Sequence, residues 1–314
     1  MRRPYSLKWY DIEFASACNR RFHSAMTGPV LIVGATGRLG ASIVQAYAGA
    51  DVVAHTRATL DIADPEAVRR AVAAAAPATI INCAAFNDVD GAEDDPTSAL
   101  AVNAFAVRSL ARAAGACGAT FVHFGTDFVF DGDAAEPYVE TDAPAPRSVY
   151  GLSKLLGEWF ALDVPRGFVL RVESLFGAAA GWTGRASSLD SIVAGLKQGR
   201  EVRVFTDRVV SPSFVHDVAR TVRHLLEAGA APGLYHCVNS GHATWHEVAE
   251  EAARLLGVQP RFRCVTMDRT MFRASRPRYC ALDVGKLAGA GITMSPWNEA
   301  LRRWLTSAAG NAVT

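Results

Sequence analysis

The sequence predicts an α/β protein in which a doubly wound parallel sheet is joined to a smaller mixed α/β lobe at its C-terminal side. Three observations predict it. Short apolar runs alternate with longer helical patterns from residue 30 to about residue 177, the short runs are apolar throughout, and the alternation loosens after that point. Continuous apolar strands are typical of parallel sheets covered by helices on both faces. Right-handed crossovers then make the sheet doubly wound.

The alternating segments are assigned in chain order. Five apolar runs are predicted strands: 30–33, 51–55, 79–82, 119–124 and 167–172. Four helical patterns follow them: 39–47, 65–75, 98–114 and 149–161. The C-terminal part adds predicted helices at 191–197, 216–227, 245–256 and 297–305 and a strand at 233–237. We assign residues 1–27 to a disordered extension, 28–177 to the sheet domain, and 178–314 mainly to the second lobe, with some of its segments returning to the sheet domain.

The composition argues against several classes of function. Half of the 314 residues are hydrophobic and the formal net charge is +1, so no basic field for nucleic acid is expected. The six cysteines are scattered without a CxxC pair. This pattern argues against zinc or a disulfide framework and favours a reducing cytoplasm. No apolar run approaches the roughly 18 residues of a membrane span, so no membrane partner is expected.

A glycine-rich loop follows the first predicted strand and opens the first predicted helix. It reads Gly34-Ala35-Thr36-Gly37-Arg38-Leu39-Gly40, with G-x-x-G-x-x-G spacing. The glycines of such a loop allow a tight turn, close approach of the backbone to a pyrophosphate, and close packing of helix on strand. Unpaired N–H groups at the helix N-terminus favour the negative charge of that pyrophosphate. The first domain is therefore predicted to be a dinucleotide-binding Rossmann domain.

The end of the second predicted strand bears on which dinucleotide is bound. An acidic residue there would hold the 2′-hydroxyl of NAD and repel a 2′-phosphate. This chain has His55-Thr56-Arg57 instead, with Arg38 in the glycine-rich loop. Two guanidinium groups suit a 2′-phosphate, so NADPH is the expected cofactor and NADH the alternative. In the competing interpretation, Arg57 is only a solvated surface charge.

A Y-x-x-x-K motif, Tyr150 to Lys154, begins the helix predicted at 149–161. The spacing places both side chains on one helix face, where the ammonium of Lys154 is expected to lower the pKa of the phenol. Lys154 can also hold the ribose hydroxyls of the cofactor. Thr126 stands at the carboxyl end of the fourth strand, the sheet edge where ligands bind. Its hydroxyl can donate to a substrate carbonyl while Tyr150 donates the proton, unless it only caps a local turn.

Small residues and one amide complete the predicted cofactor side. Ala84 and Ala85 follow the third predicted strand, and their size lets the backbone lie against the cofactor ribose. Asn103 lies in the following helix and is expected to be a structural or water-holding amide beside the cofactor.

Taken together, these motifs resemble the dTDP-4-dehydrorhamnose reductase family of extended short-chain dehydrogenases/reductases, from about residue 29 to 306. The matching stretches are 34–40, 60–62, 82–85, 89–93, 101–103, 126–132, 137–138, 149–154, 276–277 and 282–283. The resemblance implies reduction of a 4-keto group on a dTDP-linked deoxysugar by NADPH or NADH. It also implies catalytic roles for Thr126, Tyr150 and Lys154.

The resemblance carries further residues over to this chain. Asp127 matches an acidic position beside the substrate, and Asp61 with Ile62 matches the pair near the adenine. Some relatives use magnesium at a subunit interface, so Mg²⁺ is left open, although the sequence predicts no metal ligand set. A homodimer is the expected assembly.

The sequence departs from the family pattern in the substrate half. Gly125 replaces a serine, Ser174 stands where a tryptophan is typical, and Arg208 stands where a glutamine is usual. Because Ser174 and Arg208 belong to the expected sugar site, the pattern does not identify the sugar. Arg208 and Arg276, with Arg273, are candidates for contacting the substrate diphosphate, or are surface charges.

Three alternative functions belong beside keto reduction. A dehydratase of the same superfamily needs an Asp-Glu pair after the threonine, and Phe128 cannot take the second role. An epimerase usually has Ser or Ala where Asp127 stands. A non-enzymatic NADP-binding subunit, resembling the regulatory subunit of methionine adenosyltransferase, would not require Thr126, Tyr150 and Lys154 together.

Overall fold

The structure, a computed structural model, describes residues 28–179, 182 and 184–307, so the predicted N-terminal extension lies outside the described residues. Six parallel strands form the main sheet. They are β1 (Val30–Val33), β2 (Val52–His55), β3 (Thr79–Asn82), β4 (Thr120–Thr126), β5 (Gly167–Val172) and β10 (Gly233–His236). Their order across the sheet is β10-β5-β4-β3-β1-β2. The predicted doubly wound α/β fold is confirmed.

Helices cover both faces of this sheet and also build much of the second lobe. The helices are α1 (Arg38–Ala46), α2 (Pro65–Ala75), α3 (Val89–Asp94), α4 (Pro96–Leu100), α5 (Ala106–Cys117), α6 (Val149–Leu162), α7 (Ser188–Lys197), α8 (Val215–Glu227), α9 (Trp245–Leu256), α10 (Gly285–Gly289) and α11 (Trp297–Thr306). One predicted helix, 98–114, is interrupted: α4 passes through a π-helical turn, Ala101–Phe105, before α5 begins. Such turns widen a helix locally and re-aim side chains.

The alternation of side chains along the strands builds two cores. In β1, Val30 and Ile32 join α1 and α8 on one face of the sheet. Leu31 and Val33 join α2 and α5 on the other face. Strand residues on both faces are buried because side chains point alternately to opposite sides. This two-sided burial explains why the predicted strands are apolar without interruption.

The second lobe has a separate core and three two-stranded sheets. Its core gathers side chains of α7, α9 and α11, among them Val193, Val248 and Trp304. The short strands are β6 (Leu175–Phe176), β7 (Glu201–Phe205), β8 (Val209–Val210), β9 (Ser213–Phe214), β11 (Ala243–Thr244) and β12 (Arg261–Val265). They pair as β6–β9, β7–β12 and β8–β11. None of these six strands was predicted from the sequence, because each is short or half-exposed and pairs with a distant segment.

Two further findings bear on the chemistry. Five cysteines of the described chain, Cys83, Cys117, Cys237, Cys264 and Cys280, are free thiols. No helix among the described residues has the length and apolar character needed to cross a membrane.

Candidate active site

A cleft of about 610 Å³ opens at the carboxyl edge of the main sheet, between the sheet and the second lobe. Ligands of open α/β sheets bind at this edge. The predicted site residues in its lining come from both sides: Gly37, Arg38, Leu39, Ala85, Thr126, Asp127, Tyr150, Lys154, Ser174, Arg208 and Arg276. The structure therefore brings together the predicted catalytic set and all four predicted substrate residues.

The glycine-rich loop joins β1 to α1 with almost no free space. Gly34 has φ of 76°, and a Cβ atom there would lie 2.6 Å from the backbone nitrogen of Ala84. A Cβ on Gly40 would lie 2.1 Å from the carbonyl oxygen of Gly34. Only glycine fits either position, because the loop, the helix and the Ala84 segment pack backbone against backbone. This arrangement leaves the first N–H groups of α1 beside the cleft, as pyrophosphate binding requires.

Arg38 is engaged by the second lobe. Its guanidinium donates to the carbonyl oxygens of Gly177 at 2.7 Å and Arg185 at 2.9 Å, and pairs with Asp190 at 2.5 Å. It also stacks on the Trp182 ring at 4.2 Å, and the Trp182 indole donates to the carbonyl of Thr36. The expectation that Arg38 is free for a 2′-phosphate is therefore not supported by this arrangement.

The other residues expected around the adenine end lie outside the cleft lining. Arg57 follows β2 and is exposed, so it is the guanidinium at this end that solvent can reach. Asp61 accepts from the N–H of Ala63 at 3.0 Å, and Ile62 is buried in the core that contains α2 and α5.

Thr126 and Asp127 stand where β4 ends and a 3₁₀ turn, Asp127–Val129, begins. The Thr126 hydroxyl donates to Asp127 Oδ1 at 2.9 Å and accepts from the N–H of Phe128 at 3.3 Å. Thr126 therefore does cap the turn, as one interpretation expected, and it lines the cleft as well. Both side chains are almost fully buried, at 3% and 2% exposure.

Tyr150 and Lys154 project from the first turns of α6. Ser148 caps this helix by accepting from the N–H of Gly151 at 3.1 Å, which fixes where Tyr150 enters. The Tyr150 ring meets Phe128 edge to face at 5.4 Å. The Lys154 ammonium donates to the carbonyl oxygen of Phe124 at 2.6 Å and so stays beside the end of β4.

The expected lowering of the Tyr150 pKa by Lys154 is wrong. Burial and the neighbouring Asp127 carboxyl raise the pKa of Tyr150. Burial also lowers the pKa of Lys154 to about 8. The main reason is desolvation, which disfavours the charged form of both groups. Tyr150 is therefore held as a neutral phenol, the form that can give a proton.

Asn103 supports the site from behind. Its amide oxygen accepts from the N–H of Phe86 at 2.8 Å, and its NH₂ group donates to the Phe86 carbonyl and to Ser153 Oγ, each at 3.0 Å. Ser153 in turn donates to the carbonyl of Tyr150 at 2.8 Å. Both amide hydrogens are used, so Asn103 positions α6 and has no hydrogen left for a cofactor.

The substrate side holds Ser174, Arg208 and Arg276. Ser174 adopts φ of 45°, a conformation that non-glycine residues rarely take and that is often found at functional sites. Arg276 makes a bidentate pair with Asp90, at 2.9 and 2.7 Å, and these hydrogen bonds lower the Asp90 pKa to about 2. The Arg208 guanidinium lies 5.5 Å from the centre of the Phe128 ring. No ion pair of Arg208 is seen within the described chain.

Glu173 is a site residue that the sequence pattern did not reveal. It follows β5, lines the cleft, and is 2% exposed. One ligand atom each from Glu173, Asp127 and Cys280 lie within 4.8 Å of one another. Burial raises the pKa of both carboxyls, and the Arg208 guanidinium partly offsets that rise. Because a cation already stands beside this group, we assign no metal ion to it. The signal that could have found it is a carboxylate directly after a buried parallel strand.

The structure also explains why Gly125 replaces the expected serine. A Cβ atom at Gly125 would lie 2.2 Å from Glu158 Oε1. Glu158 is buried and holds Arg171 through three hydrogen bonds of 2.8 to 3.1 Å. The glycine makes room for this buried ion pair beneath the catalytic end of β4.

Comparisons with known proteins agree with this geometry. A model of the family described as RmlD substrate binding domain matches residues 27–309. The dTDP-4-dehydrorhamnose reductase of Streptomyces griseus is 38% identical over 283 residues, 87% of this chain and 90% of that protein. The dTDP-4-keto-6-deoxy-D-glucose reductase of Streptomyces niveus is 35% identical over 288 residues, which are 90% of this chain and 96% of that protein. The crystal structure of dTDP-4-dehydrorhamnose reductase from Bacillus anthracis in complex with NADP has a TM-score of 0.83 at 30% identity, covering 89% of this chain and 99% of that one.

Proposed function

The chain belongs to the RmlD substrate-binding domain family, and from this premise we propose that it reduces the 4-keto group of a dTDP-linked deoxysugar with NADPH. The resemblance found in the sequence is confirmed by the family match and by the named relatives. The observation that carries the proposal is the meeting of Thr126, Tyr150 and Lys154 at one cleft beside the glycine-rich loop.

The residues present fit a dinucleotide. The loop has no room for a Cβ at Gly34 or Gly40, and small residues stand opposite it at Ala84 and Ala85. Gly37 and Leu39 of the loop line the cleft, as does Ala85. A bound reduced nicotinamide supplies the hydride. The first turn of α1 would hold the pyrophosphate, and Lys154 would hold the ribose hydroxyls.

The chain's own groups supply the proton and hold the carbonyl. Tyr150 is a neutral phenol at the cleft and gives its proton to the ketone oxygen as negative charge develops there. The Thr126 hydroxyl stands at the same end of β4 and donates a hydrogen bond to that oxygen once it turns from Asp127. The Lys154 ammonium, held by the Phe124 carbonyl, supplies positive charge while the phenolate forms.

We propose that the protein prefers NADPH to NADH because of Arg57. The end of β2 carries no carboxylate in His55-Thr56-Arg57, and the Arg57 side chain is exposed there. Arg38 is held by Asp190 and two carbonyls, so Arg57 is the guanidinium that supports this preference. The Bacillus anthracis relative was solved with NADP bound.

We also propose a homodimer. Leu152 and Trp159 lie two turns apart on α6 and are 45% and 59% exposed, which makes an apolar strip on that helix. Such a strip suits a second copy of the chain. Light scattering of the purified protein measures the mass, and a monomer at micromolar concentration contradicts the proposal.

The test of the reaction is a substrate screen followed by one substitution. The wild-type protein should oxidise NADPH with at least one dTDP-4-keto-6-deoxysugar. Tyr150→Phe removes only the phenolic hydroxyl, so kcat should fall by about 10³-fold while NADP binding stays near wild type. Wild-type turnover by Tyr150→Phe would contradict the proton-donor role. Tight NADP binding without turnover of any sugar would favour the non-enzymatic regulator.

A further inference from the structure

The wall of the cleft opposite the glycine-rich loop holds two carboxyl groups, and each has a hydrogen bond to only one of its two oxygens. Asp127 Oδ1 accepts from Thr126 at 2.9 Å, and Glu173 Oε2 accepts from the N–H of Ser211 at 2.7 Å. The other oxygens, Asp127 Oδ2 and Glu173 Oε1, are buried and have no partner in hydrogen-bond geometry among the described residues. The Cys280 thiol is close enough to Asp127 to offset part of the rise that burial causes in the pKa of its carboxyl. A buried acceptor without a partner is destabilising, so its retention in a cleft indicates a ligand.

The charges around these carboxyls do not balance two negative groups. The titratable neighbours that face them are Arg208, Cys280 and, beside Asp127, Tyr150. Cys280 and Tyr150 are neutral, because burial and the nearby carboxyls raise the pKa of both. Among these neighbours only Arg208 brings positive charge, and the two carboxyls and Cys280 favour its charged form. Neither carboxyl lies within ion-pair distance of it in the described chain.

Two buried carboxyls with oxygens within 4.8 Å of each other, and with Arg208 as the one cation beside them in the described chain, retain a proton between them. Burial raises the pKa of both, and the charge of Asp127 raises that of Glu173 further. Like-charged carboxyls in contact behave in this way elsewhere, and the proton then belongs to the pair. The pair thus offers one hydrogen-bond donor and one acceptor to a ligand in the cleft that both residues line.

We propose that Asp127 and Glu173 form a proton-sharing carboxyl pair that binds a hydroxyl on the sugar carbon next to the ketone, which makes Glu173 a specificity-determining residue. This inference rests on the proposed function, because it takes the ligand to be a keto sugar. Thr126 joins the pair to the reacting carbonyl: it bonds to Asp127 and lines the same cleft. The pair therefore lies one side chain away from the ketone position.

The hydrogen-bonding of the pair selects a hydroxyl over other substituents. A hydroxyl donates one hydrogen bond and accepts another, so it satisfies both free oxygens of the singly protonated pair. A hydrogen in its place leaves both oxygens unpaired. An ammonium only donates, so it would have to displace the shared proton. A carboxylate would add a third negative charge.

The experiment compares ligands that differ at one carbon. The probes are a dTDP-4-keto-6-deoxyhexose with a hydroxyl next to the ketone, its analogue with hydrogen there, and its analogue with an amino group there. For each we would measure kcat/KM with NADPH and the dissociation constant by calorimetry. Wild type should prefer the hydroxyl compound over the deoxy compound by roughly 10- to 100-fold in both quantities.

Substitution of Glu173 should remove that preference. In Glu173→Ala the two sugars should bind within about threefold of each other, because the paired carboxyl is gone. The isosteric Glu173→Gln, which keeps a donor and an acceptor, should fall between Glu173→Ala and wild type. Cys280→Ala is the matched control: it removes a neutral neighbour outside the cleft lining and should keep the wild-type preference.

Three outcomes would overturn the inference. In the first, Glu173→Ala keeps the wild-type preference for the hydroxyl compound and the wild-type affinity for NADP. In the second, wild type binds the deoxy compound as well as the hydroxyl compound. In the third, wild type binds the amino compound more tightly than either of the other two. The last would mean a doubly ionised pair. Failure of the proposed function has a different signature: wild type binds the sugars but turns none of them over, and the dissociation constants still decide the role of Glu173.

Discussion

The two walls of the cleft satisfy their polar groups in different ways. On the cofactor wall the loop between β1 and α1 is fixed by backbone contacts at Gly34 and Gly40, and Arg38 is held by two carbonyl oxygens and Asp190. On the substrate wall three buried polar atoms, Asp127 Oδ2, Glu173 Oε1 and Arg208 Nε, have no hydrogen-bond partner in the described chain.

This difference shows where the free protein is complete and where it depends on a ligand. The cofactor wall recognises a group common to all dinucleotides, so a rigid backbone cradle is enough. The substrate wall must distinguish sugars, and unpaired buried groups discriminate strongly because a wrong ligand leaves them unpaired. Three predictions test the comparison.

The largest effect is expected on the cofactor wall, from Gly40→Ala. The added Cβ would meet the Gly34 carbonyl oxygen at 2.1 Å, so the loop must move. We expect the free energy of unfolding to fall by about 1–3 kcal/mol and the dissociation constant for NADP to rise roughly 100-fold. Denaturant unfolding and fluorescence titration measure the two quantities.

Gly37→Ala is the matched control for stability. Its added Cβ would stand 3.2 Å from the same carbonyl oxygen, so unfolding should change by less than about 1 kcal/mol. If Gly40→Ala were as mild as Gly37→Ala, steric closeness of the backbone would not define this wall.

A second prediction concerns Lys154, which lies where the two walls meet. Burial lowers its pKa to about 8, so the ammonium is present below that pH and is lost as the pH rises through it. Above pH 8, kcat/KM should fall about tenfold per unit. Tyr150 does not set this limb, because its pKa is raised above its usual range.

The control for this pH profile is Lys154→Arg. A guanidinium stays charged throughout the range, so the alkaline decline should disappear even if the maximal rate is lower. A decline at the same pH in Lys154→Arg would assign the limb to another group.

The smallest effect is expected at Arg57, where the cofactor wall uses an exposed side chain. Arg57→Ala should weaken NADPH binding about tenfold, because one charge-assisted contact to the 2′-phosphate is lost, and should leave NADH binding unchanged. Arg70→Ala, at an exposed arginine on α2, serves as the control for net charge. Equal loss for NADPH and NADH would remove Arg57 from cofactor selection.

The local parts of the fold were predictable from sequence. Apolar strands, helical periods and the glycine-rich loop are short-range patterns, and each was found within a few residues of its observed bounds. The pairing of β7 with β12 was not predictable, because their half-exposed residues are brought together only by the fold. The interrupted helix was missed because a π-helical turn keeps the same residue types.

The candidate site divides in the same way. Thr126, Tyr150 and Lys154 were found because a motif spacing placed them. Glu173 was not found, because what marks it as a site residue is its closeness to Asp127, which lies at the end of a different strand. The predicted direction of the Tyr150 pKa shift was wrong, because the motif spacing reveals a neighbouring charge but not the loss of water around both side chains.

The position of β10 has a consequence for biosynthesis. This strand pairs with β5 at the edge of the sheet. The ribosome nevertheless translates β6 to β9 and helices α7 and α8 after β5 and before β10. A ribosome releases the chain from the N-terminus, so β5 remains an open edge until Gly233–His236 emerge. Open edges recruit foreign strands, and nascent chains of this protein are therefore most vulnerable to misassembly in that interval. A gene shortened after residue 177 would make that vulnerability permanent.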